Sequence, residues 1–141
     1  MTKTTELDAA YRATSYRVFL PGGHADLRID QPDAVLGKWL GKHGCASFAI
    51  ITAHNPGGQV VEPATNAERQ SQLECELLEG NYEPYAGENI PDADGPVEES
   101  CFVPDITSED ACALAGDFGQ NAIVCGGADG IPHLVWINEE Q

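Results

Sequence analysis

The chain has 141 residues, of which 42% are hydrophobic and 21% are charged, a composition typical of one folded domain with its own core. Its formal net charge is −16, and all seven Lys and Arg residues lie at or before Arg69. The rest of the chain offers no cation to a phosphate backbone, which argues against nucleic acid as a partner. The excess of acid favours solubility, and it also suits docking onto a basic protein partner.

Neither a membrane span nor a secretory signal is apparent in the sequence. No apolar run reaches the roughly 20 residues that a membrane-spanning helix needs. Residues 1–8 are mostly polar and lack the apolar core of a secretory signal. We therefore expect no membrane association and a cytoplasmic location.

The cysteines and histidines give no sign of a metal or redox centre. The five cysteines are odd in number, and no two of them have C-x-x-C spacing, so we expect free thiols rather than disulfides or a zinc site. The four histidines also lack the spacing of metal ligands. The sequence predicts neither a metal nor a cofactor.

The first part of the chain contains alternating helix and strand signals. Apolar residues alternate on both sides of a Pro21-Gly-Gly23 turn, which predicts a β-hairpin. Pro32 and Asp33 are residues that open helices, and Gly44 is one that ends them. The predicted elements are a frayed start over 1–6, a short helix over 7–13, hairpin arms at 16–20 and 24–29, and a helix between Asp33 and Gly44.

A strand and a long helix occupy the middle of the sequence. Residues 47–53 form a nearly unbroken apolar run rich in β-branched residues, so this strand is predicted to be central and covered on both faces. A loop over residues 54–58 follows it. Thr65 and Glu68 match a capping box, which predicts a helix from Thr65 to about Leu78.

The last part predicts a helix between strands. Residues 81–99 are rich in Pro, Gly and acids and are interpreted as a loop with one edge strand near residues 82–85. The other predicted elements are a strand over 99–103, a helix from Thr107 to about Phe118, and a closing hairpin of 121–125 and 131–137, whose last arm Pro132 places at an edge. Residues 1–141 are therefore expected to form a single α+β domain with a mixed or antiparallel sheet and about three helices.

A string of polar residues after the apolar strand is the strongest indication of a site. Thr52, His54 and Asn55 end the strand, and Asn66 and Arg69 share one face at the start of the next helix. Such side chains beside a helix N-terminus could hold an anion or a carboxylate. The same residues could equally form a turn that caps its own backbone, with Arg69 paired to nearby acids.

Two further clusters could contribute to that site. Gln120 and Asn121 lie where a helix meets a strand, and their amides could contact a ligand or cap backbone groups. Glu98 and Glu99 precede a short strand and could supply a general base if they point inward, whereas an acidic pair in a loop is commonly solvated.

Three ordered motifs resemble a known family. Residues 47–56, Asn66-x-x-Arg69 and residues 118–123 are similar to small bacterial proteins grouped as the domain of unknown function 3293 family, over about residues 11–137. The resemblance implies a stand-alone bacterial cytosolic domain, without implying an activity. The positions that it highlights are Thr52, Asn55, Pro56, Asn66, Arg69, Glu99 and Gln120.

The leading functional hypothesis is a small-molecule site for a polar or anionic ligand. In it Arg69 clamps an anionic group while amide side chains orient the ligand, and His54 or Glu99 would be the acid–base candidate of an enzyme. A second hypothesis is an inhibitor-like or immunity-like interaction protein whose acidic half docks a basic partner. A third is that the polar string is a buried structural network. The residues of the predicted ligand site are Thr52, Asn55, Asn66, Arg69 and Gln120.

Overall fold

The computed structural model describes residues 3–137, which form four α-helices and seven strands. The helices are α1 (Lys3–Arg12), α2 (Ala34–Lys42), α3 (Pro63–Glu79) and α4 (Ser108–Asp117). The strands are β1 (Thr14–Leu20), β2 (Gly23–Leu27), β3 (Ser47–Ile51), β4 (Tyr85–Pro91), β5 (Glu98–Pro104), β6 (Ala122–Gly127) and β7 (His133–Trp136). A 3₁₀ turn, Pro56–Gly58, lies between β3 and α3.

All seven strands belong to one sheet, in the order β2-β1-β4-β5-β3-β6-β7. Each strand pairs antiparallel with its neighbours. The α+β fold predicted from the sequence is therefore confirmed, with four helices rather than about three. The predicted hairpins form β1–β2 and β6–β7, and β7 lies at an edge of the sheet as Pro132 indicated.

Helices cover both faces of the sheet, so β3 has two different neighbourhoods. Phe48 and Ile50 pack with the buried residues of α2 and with Tyr11 of α1. Ala49 and Ile51 pack with the buried residues of α3 and α4. As the unbroken apolar run predicted, β3 is buried on both faces, because alternate side chains enter alternate layers.

Two helix starts differ from the predictions. α1 begins at Lys3, so residues 3–6 are helical rather than frayed, whereas residues 1–2 lie outside the described residues. α3 begins at Pro63, and its N-cap is Glu62 rather than Thr65. Proline suits the first helical position because its φ is already helical and no intrahelical partner is needed for its nitrogen. No helix within residues 3–137 is long and apolar enough to cross a membrane.

The largest error in the predicted fold concerns residues 81–99, where the sequence predicted a loop with one edge strand near residues 82–85 and the structure has β4 at Tyr85–Pro91. β4 lies inside the sheet, with β1 on one side and β5 on the other. Gly87 allows a close approach there, since a Cβ at this position would lie 2.7 Å from Ser100 Oγ and 2.8 Å from the Arg17 carbonyl oxygen. Pairing with two distant strands therefore overrides a composition typical of loops.

Candidate functional site

The residues that follow β3 separate into two environments. Thr52 and His54 continue the face of Ile50 and line a cavity beside α1. Ala53 continues the face of Ile51 and packs in the α3–α4 layer. The polar string that the sequence treats as one cluster therefore contributes to both sides of the sheet.

On the α3–α4 side, Arg69 and Gln70 bind backbone groups. Arg69 Nε donates to the Ala53 carbonyl at 2.8 Å, and a second guanidinium nitrogen donates to the Phe118 carbonyl. Gln70 accepts a hydrogen bond from the Ala53 amide at 3.0 Å, and its amide nitrogen lies 3.4 Å from Cys101 Sγ. The hydrogen bonds of Arg69 therefore go to carbonyl oxygens, an arrangement that matches the structural-network hypothesis.

Asn55 and Asn66 form a reciprocal pair above this network. Asn66 Oδ1 accepts from the Asn55 backbone amide, and Asn66 Nδ2 donates to Asn55 Oδ1, both at 2.9 Å. The Val61 amide also donates to Asn55 Oδ1, at 3.1 Å. Asn55 has a φ of 46°, in the left-handed region that asparagine tolerates better than most residues. The pair therefore fixes the backbone of the loop between β3 and α3.

Gln120 fastens the same loop from the α4–β6 junction. Its side-chain nitrogen donates to the His54 carbonyl at 3.0 Å. Next to it, the Gly57 amide donates to the Gly119 carbonyl at 2.8 Å. Gly119 has a φ of +74°, and a Cβ there would lie 3.0 Å from Pro56 Cβ, so glycine suits both the conformation and the close contact.

On the opposite face, a cavity of about 210 Å³ opens between α1 and the sheet. Its walls come from α1, from the ends of five strands, and from the residues that follow β3 and α4. The residues that line it are Leu7, Ala10, Tyr11, Thr14, Tyr16, Ile50, Thr52, His54, Asn55, Asn89, Glu98, Gln120, Asn121, Ala122, Ile123 and Val124.

Strand register places three polar side chains in one row of this cavity. Tyr16 on β1 lies opposite Asn89 on β4, and Asn89 lies opposite Glu98 on β5. Side chains of directly opposed residues share a face of the sheet and lie about 5 Å apart at Cβ. Glu98 Oε2 accepts a hydrogen bond from Asn55 Nδ2 at 2.8 Å, which links the row to the Asn55–Asn66 pair.

Two buried polar atoms at this cavity lack a hydrogen-bond partner among the described residues. They are Nε2 of His54 and Oδ1 of Asn89. Tyr11 and Tyr16, the two tyrosines of the cavity, are held neutral. Burial raises the pKa of Tyr11, and the negative charge of Glu98 raises it further. Burial likewise raises the pKa of Tyr16. The cavity thus combines the carboxylate of Glu98 with two tyrosines that are held neutral.

The structure brings only some of the predicted site residues together. Thr52, His54, Asn55 and Gln120 line the cavity, whereas Asn66 and Arg69 do not. Thr52 is also held in place, because its hydroxyl donates to the Glu99 carbonyl at 2.6 Å and accepts from the His54 amide at 3.1 Å.

From the sequence we considered Glu98 only as part of an acidic pair and favoured Glu99, whereas the structure places Glu98 at the cavity; Tyr11, Tyr16 and Asn89 were not predicted at all. Glu99 is exposed and borders a second groove of about 380 Å³ together with Asn66 and Val97, and His54 and Asn55 line both the groove and the cavity. Alternation along the strand carried the missing signal: Glu98, Ser100 and Phe102 share one face, and Phe102 packs in the core on the cavity side. Extending the predicted strand by one residue would have placed Glu98 there.

The fold and the site define a small α+β domain with a polar cavity at one side of an antiparallel sheet. The family model described as "Protein of unknown function (DUF3293)" matches residues 51–123, and the chain belongs to this family. The matched residues include the Arg69 network, Asn89 and Glu98, whereas α1 and β1 precede them. Neither a curated protein nor a solved structure matches the chain.

Proposed function

We propose that this protein binds a small polar ligand in the cavity between α1 and the end of β3. The observation that carries this proposal is a pair of buried atoms, His54 Nε2 and Asn89 Oδ1, that have no hydrogen-bond partner in the described part of the chain. A buried polar atom without a partner costs about 1–3 kcal/mol, so natural structures rarely leave one unexplained. A ligand that exchanges hydrogen bonds with both atoms would supply the missing partners.

The dimensions of the cavity limit the ligand to a small molecule. Its volume of about 210 Å³ lies below the roughly 300–1,000 Å³ of typical drug-sized pockets. Apolar residues such as Ile50, Ile123 and Val124 form part of the wall, so a ligand with a short apolar portion and a polar head fits the lining.

A steric block tests this proposal. Ala10 lies on α1 at the cavity and is exposed, so Ala10→Phe should obstruct the cavity without removing a buried side chain. Ala9 is exposed on the same helix and does not line the cavity, so Ala9→Phe is the matched control. The probe is a library of polar fragments below about 200 Da, screened by two-dimensional NMR of labelled protein.

The expected result is a set of fragments that shift the amide resonances of Asn89, Glu98 and Gln120. Ala10→Phe should abolish these shifts, and Ala9→Phe should preserve them. Fragments that shift only resonances far from the cavity, or that bind equally well to the Ala10→Phe variant, would contradict the proposal.

A second candidate function is docking of a basic protein partner. Arg12, Arg17 and Arg28 pair with aspartates, whereas within residues 3–137 no Lys or Arg forms an ion pair with an acid of α3 or α4. Exposed acids on these two helices include Glu74, Glu79, Glu109 and Asp117. A basic protein captured by the wild-type chain should be released at moderate salt and by Glu109→Gln combined with Asp117→Asn. Capture that resists both changes would argue against this function.

A further inference from the structure

The charge and hydrogen-bonding character of the cavity suggest what kind of ligand it accepts. Among its lining residues there is no Lys or Arg, and Glu98 is its only carboxylate. The chain as a whole carries a net charge of −16, which further favours the approach of a cation over that of an anion. The ligand group nearest Glu98 should therefore be positive.

Glu98 is held in a position that leaves one of its oxygens available. Oε2 accepts from Asn55 Nδ2 at 2.8 Å, and Asn55 is itself fixed by two hydrogen bonds with Asn66. Oε1 has no hydrogen-bond partner in the described part of the chain. The closed Asn55–Asn66 pair therefore orients a carboxylate toward the cavity.

The neighbours of Glu98 in the row are also acceptors. Asn89, directly opposite Glu98, has a buried Oδ1 that no donor of the described residues satisfies. Tyr16, on the other side of Asn89, donates its hydroxyl proton to the Tyr11 carbonyl at 2.8 Å, so its oxygen can only accept from a ligand. A ligand group that faces these oxygens would donate hydrogen bonds to them.

These features together point to an organic cation. We infer that the cavity binds the ammonium or amidinium group of a small amine, placed between Glu98 and Asn89, with its apolar portion against Ile50, Ile123 and Val124. This inference rests on the proposed ligand-binding function and narrows its ligand class. An ammonium supplies three donors and a positive charge, which match the acceptors of the row. Among residues 3–137, no group of three or more His, Cys, Asp or Glu side chains is placed to hold a metal ion, so the structure favours an organic cation.

Three probes with the same alkyl chain and different head groups test this inference: butylamine, butanol and butyrate. Titrations at neutral pH, followed by the NMR shifts of Asn89 and Glu98, should show binding of butylamine only. Glu98→Gln should weaken that binding at least about tenfold, since it removes a charge-assisted hydrogen bond. The glutamine carbonyl can still accept from Asn55, so the fold should be retained.

Glu99→Gln is the matched control, because Glu99 is exposed, adjacent in sequence and outside the cavity. It should leave the affinity for butylamine unchanged, which separates site binding from general attraction to an acidic surface. If Glu98→Gln fails to fold, Ala10→Phe supplies the second variant and should abolish the butylamine shifts.

Two outcomes would overturn the inference. In the first, butylamine causes no NMR shift, or causes shifts that persist in Ala10→Phe. In the second, Glu98→Gln and Glu99→Gln lose affinity for butylamine equally. A third outcome separates the two proposals: butanol or butyrate binds, Ala10→Phe blocks that binding, and butylamine does not bind. In that case the ligand-binding function stands, and the inference of a cationic ligand is wrong. If the fragment library and all three probes leave the cavity resonances unchanged, both proposals fail.

Discussion

At the end of β3, the polar residues on the two faces of the sheet differ in whether their hydrogen-bonding groups find partners within the protein. On the α3–α4 side, Arg69 and Gln70 have hydrogen-bond partners within the chain, mostly backbone groups of buried residues. On the α1 side, His54 and Asn89 line a cavity, and each has a buried atom without a hydrogen-bond partner among residues 3–137. Polar groups on the α3–α4 side therefore satisfy one another and the backbone, whereas those on the α1 side leave hydrogen-bonding capacity for the ligand that we propose.

Asn55 joins the two sides and shows how one supports the other. Its Oδ1 accepts from Asn66 in the closed network, while its Nδ2 donates to Glu98 at the cavity. Substitutions in the network should therefore act first on stability, and substitutions at the cavity should act first on binding. The following predictions test this division.

Arg69→Met should have the largest effect on stability. It leaves the carbonyls of Ala53 and Phe118, both in buried residues, without their donors, and we expect a loss of about 3 kcal/mol in the free energy of unfolding. Urea denaturation followed by circular dichroism measures this loss.

Arg17→Met is the control for Arg69→Met, because Arg17 forms an exposed ion pair with Asp26, a type that contributes little to stability. Equal urea midpoints for the two variants would show that the Arg69 hydrogen bonds do not brace the fold. The division between the two sides would then be wrong.

Asn66→Ala should have the next largest effect on stability, a loss of about 2 kcal/mol in the free energy of unfolding. The substitution removes the acceptor of the Asn55 amide and the donor to Asn55 Oδ1. It should also weaken butylamine binding by releasing Asn55 from its hold on Glu98. Urea denaturation and NMR titration of the same sample measure both effects. A destabilised variant with unchanged butylamine affinity would show that the network does not position Glu98.

The fold was predictable wherever local signals agreed with the final packing. The apolar run of β3, the two hairpins and the Thr107 N-cap of α4 each carried a clear local pattern. An edge strand was predicted near residues 82–85, but the length of β4 and its place inside the sheet could not be recognised, because the pairing of Tyr85–Pro91 with β1 and β5 depends on residues far away in sequence. Non-local pairing of this kind leaves no signal within the strand itself.

The site was predictable in its components but not in their directions. The spacing of Asn66 and Arg69 correctly placed both on α3, yet Arg69 lies in the second turn because the helix begins at Pro63. A side chain's direction depends on such a shift, since each residue rotates the helix face by about 100°. Alternation along β5 determines that Glu98 faces the cavity while Glu99 faces solvent.

The rate of thiol labelling should show a smaller effect, which also tests whether the α3–α4 side is closed to solvent. Burial raises the pKa of Cys101 and of Cys125 to about 12, whereas Cys75 is exposed on α3. A maleimide at pH 7 should therefore label Cys75 first, since the thiolate is the reactive form. Labelling of Cys101, which contacts Gln70, should become faster in Arg69→Met through local opening. Mass spectrometry after digestion at glutamates measures each site, and equal rates for Cys75 and Cys101 in the wild type would contradict the closed network.

The smallest effect on stability should come from the exposed ion pairs, which lie outside both the α3–α4 network and the cavity. It should appear only at acidic pH. Hydrogen bonds from Arg17, Arg12 and Arg28 lower the pKa values of Asp26, Asp30 and Asp92 below their ordinary range. A carboxylate whose folded-state pKa is lowered stabilises the fold above its unfolded pKa of about 3.9, and this contribution is lost as the pH falls through the folded-state value. The urea concentration at the midpoint of unfolding should therefore decrease once the pH is lowered below about 4. Asp92→Asn should make that fall slightly shallower, whereas Asp94→Asn, an exposed neighbour with no ion pair in the described chain, should leave it unchanged. If Asp92→Asn and the wild type lose stability with the same pH dependence, the Arg28–Asp92 pair contributes nothing, and the acid response must originate elsewhere in the chain.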